Sequence, residues 1–200
     1  MSWGQSTYNQ PNWYKMDRQA LQKAVHEMEL AYEFNKMSDL EYGVQNGAPP
    51  LAPWPEQPCR ILFLDFDGVL NREVPGHRSD QFLPQAVAAL NQILLATKAL
   101  IVISSSWRLI RSLRENANFL EGAGVAKGHV VGKTPMLGCE RGYEIDAWLR
   151  GVPYPVKSFV ILDNHNDMGH LRFRLVQTAS EHGLTMSEAY QVVQMFRTES

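Results

Sequence analysis

The chain has 200 residues, 44% of them hydrophobic and 20% charged, with a formal net charge of −2. That length suits one globular domain plus an appendage, with enough apolar chain to bury a core. The charge balance excludes a strongly basic nucleic-acid binder, though not a local basic patch. Cys59 and Cys139 form no CxxC pair and read as free thiols of a reducing compartment. No apolar h-region opens the chain and no apolar run approaches about 18 residues, so the expectation is a cytoplasmic protein without membrane contact.

Residues 1–16 are polar and aromatic without periodicity and read as an irregular arm. Asp17 is placed to cap a helix from Arg18 to about Met37, on which Leu21, Ala24, Val25, Met28 and Tyr32 make one apolar stripe. That stripe needs a partner, either the main domain or a second copy of the chain in a homodimer. Five prolines among residues 49–58 forbid helix or central strand and make residues 43–58 an extended linker. The division is therefore an appendage over 1–58 and a main domain over 59–200.

Beyond the linker, short apolar runs alternate with helical patterns. Strands are expected at 61–66, 99–104 and 158–162, with "FRLVQT" as a further one. Helices are expected at 83–96, 107–119 and 141–150, with Pro84 in a first turn. Thr185 and Glu188 form a capping box for a last helix. Continuous apolar strands separated by helices mean α/β: a Rossmann-like, three-layer α/β/α fold with a mainly parallel sheet.

In such sheets ligands sit at the carboxyl ends of the strands, and three strands here end in reactive residues. "ILFLDFDGVLN" drives an apolar strand into Asp65 and Asp67, two acids on the same side of extended chain. Like charges so close disfavour each other unless a cation intervenes. "SSSWR" ends the second strand with Ser104 and Ser105, and "DNHND" ends the third with Asp163 and Asp167. Three or four carboxylates in one crevice suit a hard cation with oxygen ligands, Mg²⁺ above all. Arg108, Lys133 and Arg141 are the cations available for an anionic substrate. Carboxylates, Mg²⁺, hydroxyls and a cation together make a phosphoryl-transfer site. "GAGVAKG" follows a helix and reads as a turn, not a dinucleotide loop. Trp107 and Trp148 read as core, and His165 and His170 as surface.

These motifs resemble the haloacid dehalogenase-like (HAD) phosphatase superfamily. "FLDFDGVLN" resembles its first motif, "VISSSWR" its second and "VILDNHNDM" its fourth. The fuller set, "DGVLN…SSSWR…GKTP…RGYEIDAWL…VILDNHNDM…LVQT…GLT", is similar to the HAD domains of Swiss-army-knife RNA repair proteins, from Arg60 to the C-terminus. The resemblance implies Asp65 as nucleophile and Asp67 as general acid and then base. It implies Asp65, the Asp67 carbonyl, Asp163 and Asp167 as Mg²⁺ ligands, with Asp167 direct or through water. Ser104 or Ser105 would hydrogen-bond the phosphoryl oxygens, Arg141 or Lys133 would neutralise them, and Gly68 and Arg108 would contact substrate. Related domains often carry two adjacent acids at the fourth motif, where this chain has Asn164.

HAD enzymes choose substrates through inserted cap domains. The 37 residues from Asp67 to Ser104 and the 58 from Ser105 to Asp163 leave no room for a large one. The expected site is open and suits a nucleotide or a nucleic-acid end. Two other readings stand beside it: a non-catalytic domain that binds a phosphorylated ligand or partner, and a small-metabolite phosphatase. Trp3, Trp13, Tyr14 and Trp54 are aromatics that would stack on bases, dock a partner or pack onto the domain.

Overall fold

A computed structural model describes residues 57–74, 81–152 and 154–198. The expected N-terminal arm, its helix, most of the proline-rich linker and the aromatics at 3, 13, 14 and 54 lie outside the described residues. So does the homodimer contact assigned to that helix.

Five strands make one parallel sheet: β1 (Cys59–Leu64), β2 (Leu100–Ile103), β3 (Val130–Lys133), β4 (Val156–Asp163) and β5 (Leu175–Gln177), in the order β3-β2-β1-β4-β5. Four α-helices join them: α1 (Pro84–Thr97), α2 (Leu113–Gly122), α3 (Arg141–Gly151) and α4 (Met186–Arg197). Alternation along the strands builds two apolar layers. Leu62 and Leu64 of β1 face a core shared with α1, α2 and α4. Ile61 and Phe63 face a second core closed by Ile145 and Trp148 of α3. This is the expected three-layer fold, with helices on both faces of a buried sheet.

Pro84 starts α1 in its first turn, and Lys98 closes it in the left-handed conformation at φ 56°. Thr185 and Glu188 form the capping box of α4. Two expected elements are different. The helix assigned to 107–119 is two pieces, a 3₁₀ turn (Ser106–Leu109) and then α2. Ser112 is the reason. Its hydroxyl accepts from the Glu115 backbone N–H, and Glu115 Oε2 accepts from the Ser112 backbone N–H at 2.8 Å. That S-x-x-E box starts a new helix and interrupts the older one. "FRLVQT" is also divided: Phe173 and Arg174 belong to a second 3₁₀ segment (Gly169–Arg174), and only Leu175–Gln177 pair with β4.

The C-terminal helix is part of the core. Val192 is fully buried and Phe196 is 1% exposed, in the layer that also holds Leu90 and Ile93 of α1. Phe196→Ala should cost about 3–5 kcal/mol. Equilibrium urea unfolding checks this; a change within error would mean that α4 docks loosely.

Candidate active site

The strand registers bring the reactive residues into one row. Leu64 pairs with Ile103 on one side and with Leu162 on the other. One step further on, the Ser104 N–H donates to the Leu64 carbonyl at 3.0 Å and the Asp65 N–H to the Leu162 carbonyl at 3.1 Å. Ser104, Asp65 and Asp163 therefore stand side by side at the carboxyl ends of β2, β1 and β4. All three are buried: Asp65 is 3% exposed, Ser104 and Asp163 not at all.

Arg141 is the counter-charge to this row. It opens α3, and its Nη1 lies 2.9 Å from Asp65 Oδ2 and 2.5 Å from Asp163 Oδ2. The next residue makes the approach possible. A Cβ on Gly142 would lie 2.1 Å from the Met168 carbonyl oxygen, so only glycine lets α3 start against the loop after β4. Burial works against the Arg141 charge, but Asp65 and Asp163 outweigh it and hold its pKa above the usual guanidinium value. Burial, and then the Asp65 charge, push the Asp163 carboxyl up to about 7, while Arg141 and the His165 backbone N–H act the other way. Two acids in a dry row make a site short of positive charge.

Asp67 lies beside the row, and both of its oxygens are held. Oδ1 accepts from Asn71 Nδ2 at 2.7 Å, and Oδ2 from Trp107 Nε1 at 2.9 Å. Gly68 turns the chain at φ 72°, and a Cβ there would lie 2.4 Å from Asn164 Nδ2. Its carbonyl accepts from Thr178 Oγ at 2.8 Å.

The two serines differ. Ser105 Oγ accepts from the Trp107 N–H at 3.4 Å and caps the 3₁₀ turn. Ser104 Oγ is buried with no hydrogen-bond partner. Lys133 ends β3 and pairs with Ile103, with β2 lying between its strand and the one that leads to Asp65. Asp167 is exposed, and it faces the start of α3: its Oδ2 lies 3.4 Å from the Arg141 N–H nitrogen, and its carbonyl accepts from Gly142 N at 3.2 Å. Arg108 is buried among protein groups. Its Nη1 donates to the Ser104 and Ser105 carbonyls at 2.6 and 2.9 Å, its Nε donates to the Thr134 carbonyl at 3.1 Å, and its Nη2 pairs with Glu144. Glu144 also accepts from the Leu137 N–H at 2.9 Å. Arg108 thus ties together the loops after β2 and β3 and the first turns of α3. Its pKa is lowered by burial first, with Glu144 acting in the other direction.

Asn164 fills the place of a second acid at the end of β4. Its Nδ2 donates to Glu73 Oε2 at 2.5 Å and to Ser180 Oγ at 2.9 Å, joining the loop after β1 to the loop after β5. His165 and His170 are exposed, as expected of surface residues. Trp148 is core, packed edge-on to Phe63 at 5.4 Å between ring centroids. Trp107 is core too, yet it also reaches Asp67. Asn71, Trp107 and Glu144 are the members of this constellation that sequence reasoning did not single out. All three stand inside the quoted motifs, and Glu144 lies three residues after Arg141 on the same helix face, a signal available in the spacing.

A bound cation fits the row. Asp65 and Asp163 supply hard oxygen donors, their negative charge is only partly offset, and Ser104 Oγ is an unpaired polar atom beside them. Mg²⁺ commonly takes one or two carboxylates and completes its shell with water and substrate phosphate. Among the described residues no three His, Cys, Asp or Glu side chains gather into a metal cage. Asp167 does not join Asp65 and Asp163 in one. Burial, with Glu144 and Glu140, pushes Cys139 up to about 11, and burial raises Cys59, whereas reactive cysteines have lowered pKa values.

A parallel sheet whose neighbouring central strands both end in acids, with a cation from the preceding helix between them, has the architecture of a HAD domain. The family model described as the HAD domain in Swiss Army Knife RNA repair proteins matches residues 61–189, well over half of the chain. The chain belongs to that family. No match was found among curated proteins. Among the described residues no helix is long and apolar enough to cross a membrane.

The Arg108–Glu144 pair braces the loop that carries Ser104. Glu144→Ala would leave a buried guanidinium without its partner, and should cost roughly 3–5 kcal/mol of stability. Chemical denaturation measures this; a cost under about 1 kcal/mol would mean that the pair behaves as an exposed one.

Proposed function

We propose that the chain is a Mg²⁺-dependent phosphatase that hydrolyses a phosphomonoester through an aspartyl-phosphate on Asp65. The observation that carries this is the Asp65–Arg141–Asp163 arrangement beside the unpaired Ser104 hydroxyl. Asp65 is fixed by the sheet at the base of the row, where a carboxylate oxygen attacks phosphorus. Arg141 offsets the charge that Asp65 and the phosphoryl group bring together. Ser104 Oγ donates to a phosphoryl oxygen; Ser105 Oγ is engaged as a cap. Of the two candidate cations, Arg141 has defined contacts with both acids, which favours it over Lys133. Asp67 protonates the leaving oxygen, then takes a proton from the water that attacks the phosphoenzyme. Mg²⁺, held by Asp65, Asp163 and the Asp67 carbonyl with Asp167 through water, would supply Lewis-acid stabilisation of the phosphoryl charge. Arg108 supports the serine backbone from below, so it acts on the loop and not on the substrate.

For the substrate we favour a phosphorylated nucleic-acid end or nucleotide. Two observations support this reading. The family is that of HAD domains in RNA repair proteins. The connection from β1 to α1 runs only from Asp65 to Leu83, which leaves no room for an inserted cap to close on a small metabolite. A neutral Asn164 at the fourth motif speaks for a non-catalytic domain, but its hydrogen bonds to Glu73 and Ser180 give it a structural use.

Phosphate release from end-phosphorylated oligonucleotides, nucleotides and an aryl phosphate tests both levels. Release should need Mg²⁺, stop with EDTA and fall to background in Asp65→Asn. Asp67→Asn should lower kcat by about 10²–10⁴-fold. Oligonucleotide binding should weaken as salt rises. Release that persists in Asp65→Asn would overturn the nucleophile, and oligonucleotides that neither react nor compete would overturn the substrate class.

A further inference from the structure

We infer that Trp107, with Asn71, is a positioning residue that holds the Asp67 carboxyl for its two proton transfers. This rests on the phosphatase reading and adds to it the means by which the acid is aimed. A buried indole N–H needs an acceptor, and backbone carbonyls are the common ones. Here the acceptor is Asp67 Oδ2, 40 residues away in sequence, at 2.9 Å. The other oxygen takes Asn71 Nδ2 at 2.7 Å, while Asn71 Oδ1 accepts from the Gly68 N–H at 3.1 Å. The Asn71 amide therefore has only one sensible orientation: its oxygen meets a donor and its nitrogen meets a carboxylate. Each Asp67 oxygen is held from a different loop, one after β1 and one after β2, so the carboxyl group cannot rotate without breaking a hydrogen bond.

The ring that carries the donor is itself fixed. Phe66, the residue between the two acids, packs edge-on to Trp107 at 5.4 Å between centroids. Phe82 stacks on the indole at 5.8 Å, and Phe119 lies 5.2 Å away, tilted. The Arg111 guanidinium sits 4.3 Å from the ring centroid. A cation over an indole draws electron density from it and makes the N–H a stronger donor.

The consequence lies in the proton steps. As the Asp65 oxygen bonds to phosphorus and the P–O bond to the leaving group breaks, the Asp67 O–H gives its proton to the leaving oxygen and becomes a carboxylate. Water then attacks the phosphoenzyme, the Asp65–phosphorus bond breaks, and that carboxylate takes the water proton, releasing inorganic phosphate and restoring the acid. The Trp107 and Asn71 donors keep both carboxyl oxygens on fixed bearings through the two transfers, so the oxygen that gives the proton is the one placed to take it back. Substrates that need this proton should feel their loss; substrates with a good leaving group should not.

The test compares Trp107→Phe with wild type on an alkyl phosphate, a poor leaving group, and on a dinitrophenyl phosphate, a good one. The variant should lose about tenfold or more in kcat on the alkyl ester, a part of the full general-acid effect, and less than about threefold on the dinitrophenyl ester. In an Asp67→Asn background it should have no further effect on the alkyl ester. Val192→Ala removes buried packing on α4, which carries neither Asp67 nor any ring that holds Trp107, and should lower the melting temperature while leaving the ratio between the two substrates unchanged. If Trp107→Phe does not fold, benzothienylalanine at 107 keeps the ring shape, replaces the N–H by sulfur and serves in the same comparison. Equal losses on both substrates, or an additional loss in Asp67→Asn, would overturn the assignment while leaving the phosphatase intact. A wild-type chain that hydrolyses neither ester nor an end-phosphorylated oligonucleotide would overturn the phosphatase reading and this assignment together.

Discussion

Arg141 between Asp65 and Asp163 is the contact on which the rest of the site depends. Parallel pairing of β1 with β4 in this register leaves the two acids side by side in a buried row, where burial and the neighbouring Asp65 charge disfavour the Asp163 carboxylate. A guanidinium reaching both makes that row tolerable, and it reaches them only because α3 begins in contact with the loop after β4. Gly142 permits that contact and Asp167 lies against the same helix start. Arg108, bonded to three carbonyls and paired with Glu144, fixes the β2 and β3 loops onto α3 one layer below. The fold thus concentrates negative charge at one edge and builds its supports from the residues around it.

That concentration has a chemical use in the proposed reaction. A phosphoryl group is itself anionic, so a lone carboxylate would repel the substrate it has to attack. A row with a cation already in place, and with room in its chemistry for a hard metal ion, turns the same charges into a binding site. The second acid, Asp67, is kept apart from the row and held by neutral donors, in an environment unlike that of Asp65. Two carboxylates of one sequence motif acquire different tasks when their surroundings differ in this way.

Much of this was legible in the sequence. Continuous apolar runs marked the buried strands, the alternation marked the parallel sheet, and acids at two strand ends marked the crevice. Pro84 and the Thr185–Glu188 box placed helix starts correctly. The break before α2 was also written in the chain, as the Ser112–Glu115 box, which divides the single helix expected over 107–119. What no spacing reveals is which way a side chain turns at a strand end. Ser104 and Ser105 are adjacent and chemically identical, and only the ladder and the 3₁₀ turn separate a capping hydroxyl from an unpaired one. Trp107 read as core because indoles usually are; it is core, and its single polar atom is what meets Asp67. Arg108 reads as a cation for an anionic substrate, whereas in the fold its guanidinium is turned to three backbone carbonyls and Glu144.

The most direct measurement is to quench the enzyme during turnover of a phosphomonoester with Mg²⁺, reduce it with borohydride and locate the product by peptide mass spectrometry. An acyl phosphate is reduced to an alcohol, so the account predicts homoserine at position 65, only when substrate is present. Turnover with Asp65 recovered unchanged, or with the modification at Asp67 or Asp163, would contradict it.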